Sequence, residues 1–184
     1  FDQPNKAVAE MHNARTIIMQ IVTEAADNTR KLQNAMQLVS AHGAALLRGD
    51  YFKSAIELFD YILPMLQGKV TQASYEYAVY QHAKALRMID GKIASEKAKE
   101  MLLTVLPGIS DKTTKVSAYL DLAHCYNYLD QGQEAIDYAK KIISLEPRSS
   151  RALTANQIIL ENSEKGPDIN SKLDKLEAKA RKQN

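Results

Sequence analysis

At 184 residues, with 45% hydrophobic and 25% charged residues, the chain is long enough for one compact domain or one short solenoid and too apolar to be disordered over most of its length. A formal charge of +2 is too small to suggest a nucleic-acid surface, which needs clustered Lys and Arg, and a lone Cys125 excludes an intrachain disulfide and, by itself, a four-ligand zinc site. Glycine and proline are scarce, at 7 and 5 residues, and alternating β-branched runs are absent, so the composition predicts an all-α fold.

No apolar run reaches the roughly 18 residues that a membrane span needs, so a soluble protein is expected, in the cytoplasm or the periplasm. The sequence begins at Phe1 without an initiator Met or a basic-then-apolar leader, and the expectation is a processed or truncated N-terminus. The first element, residues 1–28, reads as a capping helix: residues 5–27 carry Val8, Met11, Ile18, Ile21 and Val22 on one stripe, suited to covering the open face of a first helical hairpin.

That hairpin is predicted over 29–68. Its first helix spans 29–48, a turn falls at Gly49-Asp50, and its second helix carries Tyr51, Phe52, Ala55, Ile56, Phe59 and Ile62. Pro64 should end or kink that helix, because its ring removes a hydrogen bond and clashes with the preceding turn. Arg48-Gly49-Asp50 spells an adhesion tripeptide, but its place between two helices reads as a turn. The second hairpin, 71–108, has Tyr75, Val79, Ala83 and Leu86 at helical spacing over 71–90, a turn at Gly91-Lys92 about three residues longer than usual, and a return helix over about 94–106. The third, 116–149, is the clearest. Tyr119, Leu122, Ala123 and Tyr126 precede a turn at Asp130-Gln131-Gly132; Ala135, Ile136, Ala139, Ile142 and Ile143 come after it, and Pro147 closes the unit. Residues 150–166 read as a C-terminal capping helix, N-capped by Ser149 or Ser150, passing through Leu153, Ile158, Ile159 and Leu160, and stopped by Gly166-Pro167. The last stretch, 167–184, is a polar helix or tail with a basic end and apolar residues only at Ile169, Leu173 and Leu176.

One signature recurs along the second helices: Ala55, Phe59, Ile62 and Pro64, then Ala98, Leu102, Val105 and Pro107, then Ala135, Ala139, Ile142 and Pro147. The intervals are uneven, 43 residues from Ala55 to Ala98 and 37 from Ala98 to Ala135, so the surplus falls in helix ends and connections. A bulky residue, Leu, a small residue and Tyr on one helix, a Gly-containing turn, then Ala on the next and a closing Pro resembles a tetratricopeptide repeat. In the first hairpin His42 and Gly43 stand where that family has Leu and a small residue, so only the small position is kept.

The resemblance implies an α-solenoid of antiparallel hairpins whose first helices line a concave groove, and hence a protein- or peptide-binding adaptor rather than an enzyme. It maps groove positions onto Gln37, Ser40 and Ala44, onto Tyr77, Tyr80, Lys84 and Arg87, and onto Leu120, His124 and Asn127. Aromatic and basic groups together suit an extended, partly acidic peptide, although some of these tyrosines could equally pack between helices. Chaperone-binding members hold a terminal carboxylate with Lys and Asn, and Ser40 and Ala44 occupy the corresponding places in the first hairpin. A homo-oligomeric scaffold and a helper domain of a larger protein are the alternatives.

No catalytic, cofactor or metal site is expected. His12, His42, His82 and His124 lie on four different helices without an i, i+4 pair. Asp121 and Asp137 read as solvated helix faces rather than as an acid–base pair.

Overall fold

The computed structural model describes residues 3–89 and 91–164. Its described residues form eight α-helices and no strand: α1 Gln3–Ala25, α2 Thr29–Arg48, α3 Phe52–Leu66, α4 Gln72–Arg87, α5 Lys92–Val105, α6 Lys112–Tyr128, α7 Gly132–Leu145 and α8 Ser150–Glu164. The expected all-α, solenoid-like stack of hairpins is what the chain adopts. The stop at Gly166-Pro167 and the 167–184 segment lie outside the described residues.

The helices begin where polar side chains satisfy free backbone N–H groups. The Lys31 amide donates to Asn28 Oδ1 at 2.9 Å, the Ser74 amide to Thr71 Oγ1 at 3.3 Å, and the Thr114 amide to Asp111 Oδ2 at 2.7 Å. The Ala152 amide donates to Ser149 Oγ, which settles the cap of α8 on Ser149. The second helices α3, α5 and α7 have no side-chain cap, and their starts are set by the turns before them. Capping by Asp111 starts α6 at Lys112, earlier than residue 116, and α5 starts at Lys92 rather than near 94. A 3₁₀ turn, Leu106–Gly108, absorbs Pro107. Pro64 is carried within the last turn of α3, which runs on only to Leu66.

Two of the hairpin turns are built the same way, and not by glycine. After α2 the Tyr51 amide donates to the Leu46 carbonyl, and after α6 the Gln131 amide donates to the Tyr126 carbonyl, both at 2.9 Å; this is the wrapping bond of a Schellman end. The left-handed residue between them is an aspartate each time, Asp50 at φ 61° and Asp130 at φ 59°. Asp tolerates that region better than most side chains. Gly132, counted as a turn residue from sequence, is instead the first residue of α7, and a Cβ there would lie 2.7 Å from Asn162 Oδ1. The middle turn, between Arg87 and Lys92, is one residue longer than the other two rather than three.

Each helix packs on the next, and α1 lies on both α2 and α3. In addition α2 meets α4, α4 meets α6 and α6 meets α8, while α3, α5 and α7 do not approach one another comparably. The stack therefore closes up along its first helices. Small residues make that possible. Gly43, Ala83 and Ala123 recur at 40-residue intervals on α2, α4 and α6, all buried, and Ala55, Ala98 and Ala135 on the second helices are fully buried. Gly43 is the tightest of these: a Cβ would stand 2.5 Å from Phe59 Cζ and 3.0 Å from Gln81 Oε1. The apolar core is continuous, because Ile56, Leu63 and Tyr75 pack against both the first and second clusters, and Tyr126 and Tyr138 against both the second and third.

The capping helices differ from expectation in detail. On α1, Ile18, Val22 and Ala25 are buried while Val8 stays half exposed. On α8, Ala152, Ala155 and Ile158 face the core, but Leu153 and Leu160 remain 73% and 59% exposed. No helix among the described residues is long and apolar enough to cross a membrane.

Candidate peptide-binding groove

The face where α2, α4 and α6 lie side by side carries three adjoining cavities, and Tyr77 lines all of them. The largest, about 550 Å³, lies between α2 and α4 and is walled by neutral polar groups: Gln33, Asn34, Gln37, Ser40 and Ser74. A second, about 280 Å³, lies between the C-terminal turns of the same helices, against Arg48, Phe52, Lys84, Arg87 and Met88. A third, about 160 Å³, lies between α4 and the segment entering α6, beside Glu76, Tyr80, Ile109 and Thr114. Tyr77 itself is 41% exposed and its ring leans on Tyr80 at a centroid distance of 6.3 Å.

The residues that the sequence assigns to the groove divide into three groups. Tyr77 and Lys84 border these cavities, together with Gln37, Ser40 and Ala44 from α2. Tyr80 and Arg87 border the same cavity but are already engaged by the neighbouring hairpin. Tyr80 is buried and its hydroxyl donates to Asp121 Oδ2 at 3.4 Å, while Arg87 Nε lies 2.6 Å from Asp121 Oδ1. Burial, with the Asp121 carboxylate beside it, pushes the Tyr80 phenol far above its usual range. Leu120 and Asn127 belong to the seam with α8. Leu120 packs into the third core cluster; Asn127 Nδ2 donates to Glu161 at 3.3 Å and its Oδ1 accepts from Asn162 at 2.9 Å. His124 is half-buried, and burial followed by the Arg87 charge holds its imidazole below the ordinary histidine range.

Asp121 is the largest departure from the sequence reading. It is not a solvated face: its side chain is 5% exposed, and it ties α6 to α4. Asp137, by contrast, is exposed on α7. Asp121 stands 40 residues after Gln81, which occupies the same register on α4 and whose Nε2 donates to the Ser40 carbonyl of α2 at 3.1 Å. A buried polar side chain reaching back to the preceding first helix is thus repeated at both junctions. The repeated small positions, two residues further along each helix, were the signal that could have exposed this register.

The groove also contains groups that sequence reasoning passed over. Gln33 spans α2 and the start of α4, accepting from the Thr71 amide at 2.8 Å and donating to Ser74 Oγ at 3.1 Å. Asn34 and Arg48 border cavities on the same side. Arg48 belongs to the tripeptide read as a turn, and only the packing of α4 beside α2 turns it into a cavity wall.

The histidines are dispersed as their spacing implies. His42 and His82 share one register and are both buried, His82 stacking on Phe59 with ring centroids 6.0 Å apart. Among the described residues no group of three His, Cys, Asp or Glu side chains is placed to hold a metal ion. Cys125 is buried, and burial pushes its thiol up to about 12, far from a reactive thiolate.

No protein-family model matches the sequence. No curated protein matches it at a significant level.

Proposed function

We propose that this chain is a tetratricopeptide-like binding protein that acts without catalysis, holding an extended segment of another protein along the groove between α2 and α4. The observation that carries this reading is the meeting of three cavities at one exposed aromatic ring, Tyr77, on the side where the first helices converge. Such a ring offers large contact area at small entropic cost. The amides of Asn34 and Gln37 beside it, with Gln33 held by α4, suit a peptide backbone, which presents a donor and an acceptor at each residue.

Photo-crosslinking from position 77 tests it. A benzophenone side chain replacing Tyr77 should capture a partner protein that the same group at Lys140, exposed on α7, does not. Capture from position 140 and not from 77 would move binding to the outer face. Lys141 is a poorer control, because its Nζ lies 4.3 Å from the Tyr138 ring centroid and takes part in packing.

A second reading, a self-associating scaffold, draws support from Leu153 and Leu160, one heptad apart on the outer face of α8. Sedimentation of the native chain and of Leu153→Lys distinguishes it: a dimer dissociated by the substitution favours self-association.

A further inference from the structure

The two larger cavities on either side of Tyr77 differ in chemistry, and the difference specifies a ligand. On one side neutral amides and hydroxyls alternate with the apolar Met36 and Ala73, and no charged group is present. On the other, Arg48, Lys84 and Arg87 converge beside the apolar side chains of Phe52 and Met88. Arg87 is neutralised by Asp121. Arg48 and Lys84 have no carboxylate within ion-pair distance among the described residues, so two cations border this end of the groove without an ion-pair partner.

Cations at the last turns of α2 and α4 have a plain structural reason, the partial negative charge of a helix C-terminus. That reason does not extend to Met88, which is 40% exposed in the wall of the same cavity. Positive charge and exposed apolar surface in one cavity of about 280 Å³ match a ligand that presents both a carboxylate and a large apolar side chain.

We infer that the cavity between the C-terminal turns of α2 and α4 recognises an acidic residue adjoining a large apolar residue in an extended peptide, with the peptide backbone continuing over the amide-lined cavity beyond Tyr77. This rests on the groove reading above and gives the bound segment a direction. The acidic–apolar pair lies at the Arg48 and Lys84 end, and the neutral stretch runs towards Gln33 and Asn34. Side-chain amides bind a backbone irrespective of its sequence, so selectivity resides at the cationic end.

The test begins with an unbiased library of random decapeptides displayed on phage and selected on the immobilised chain. Peptides in which Asp or Glu adjoins Leu, Ile, Met or Phe should be enriched. The best of them, made synthetically and followed by fluorescence anisotropy, should bind Arg48→Ala/Lys84→Ala about tenfold more weakly or worse, and should lose as much when its acid is changed to the amide. That peptide change should have little further effect on the double variant. Lys84→Glu, checked for native helicity, should shift the selection towards basic peptides. Neutral peptides that still depend on Tyr77 would overturn this inference and leave the groove reading standing. An absence of enrichment, or peptides indifferent to Tyr77→Ala, would overturn both.

Discussion

The junction of α2 with α4 and the junction of α4 with α6 use one geometric device with two chemistries. At the first, Gln81 reaches back to the Ser40 carbonyl, a neutral bond next to the closely packed Gly43 and Phe59. At the second, the equivalent residue is Asp121, which holds Tyr80 and Arg87 at once. The first junction relies on close backbone approach with one amide; the second relies on a buried charge whose partners come from the previous hairpin. Removing a neutral amide leaves one unpaired carbonyl. Removing a buried carboxylate strands a cation and a phenol together.

Asp121→Ala should therefore have the largest effect, destabilising the chain by about 3 kcal/mol in urea denaturation, whereas Gln81→Leu should cost about 1 kcal/mol. Equal losses would mean that the carboxylate is no more committed than the amide. The same result bears on binding experiments, since Arg87→Ala strands Asp121 and disturbs the fold as well as the groove. Lys84 and Arg48 are the cleaner probes of ligand charge.

Gly43→Ala sharpens the other side of the comparison. Alanine is the better helix former by about 1 kcal/mol, but the added methyl meets the fully buried Phe59 ring, which has no room to withdraw. A net loss of about 1 to 2 kcal/mol is expected. Ala135→Leu, at a fully buried position of the third hairpin, should lose about 1 to 3 kcal/mol by the same overpacking.

Acid should act where α4 packs on α3, at His82 beside Phe59 and Asp60. Burial, with Lys97 adding to it and Asp60 opposing it, lowers His82 from 6.5 to about 4. The unfolded chain takes up that proton first, so stability should fall as pH drops from about 6.5 towards 4, by at most about 1.4 kcal/mol per pH unit. His82→Leu, which places at this register the residue that α6 has at Leu122, should flatten that slope. His42 and His124, shifted in the same direction, should leave a remainder. An unchanged slope in His82→Leu would place the acid sensitivity elsewhere.

The smallest effect is expected at Gly132→Ala. The new methyl there meets Asn162 Oδ1, so the Asn162 amide must shift and loosen its bond to Asn127, but the position is already helical and alanine favours it, so the melting temperature should fall only slightly. A large loss would show that Asn162 is as rigid as Phe59.

Much of the architecture was legible from local chemistry. Helical periodicity, the Ser149 cap and the recurrent Ala55, Ala98 and Ala135 define the hairpins and their order, because these signals act over a few residues or one turn. The family resemblance assigns Tyr77 and Lys84 to a groove, and both border the cavities between α2 and α4. The helix face bearing Asp121, Asn127, Leu153 and Arg48 could also be read, but their neighbours could not. Whether a face is solvent, seam or cavity depends on a helix some 35 to 41 residues away, as in the Asn162–Asn127 and Tyr80–Asp121 contacts. A local period specifies which side chains share a stripe. Only the packing of one hairpin on the next decides that Asp121 is buried, that Asn127 is spent on α8, and that Arg48 and Lys84 face one cavity with Met88.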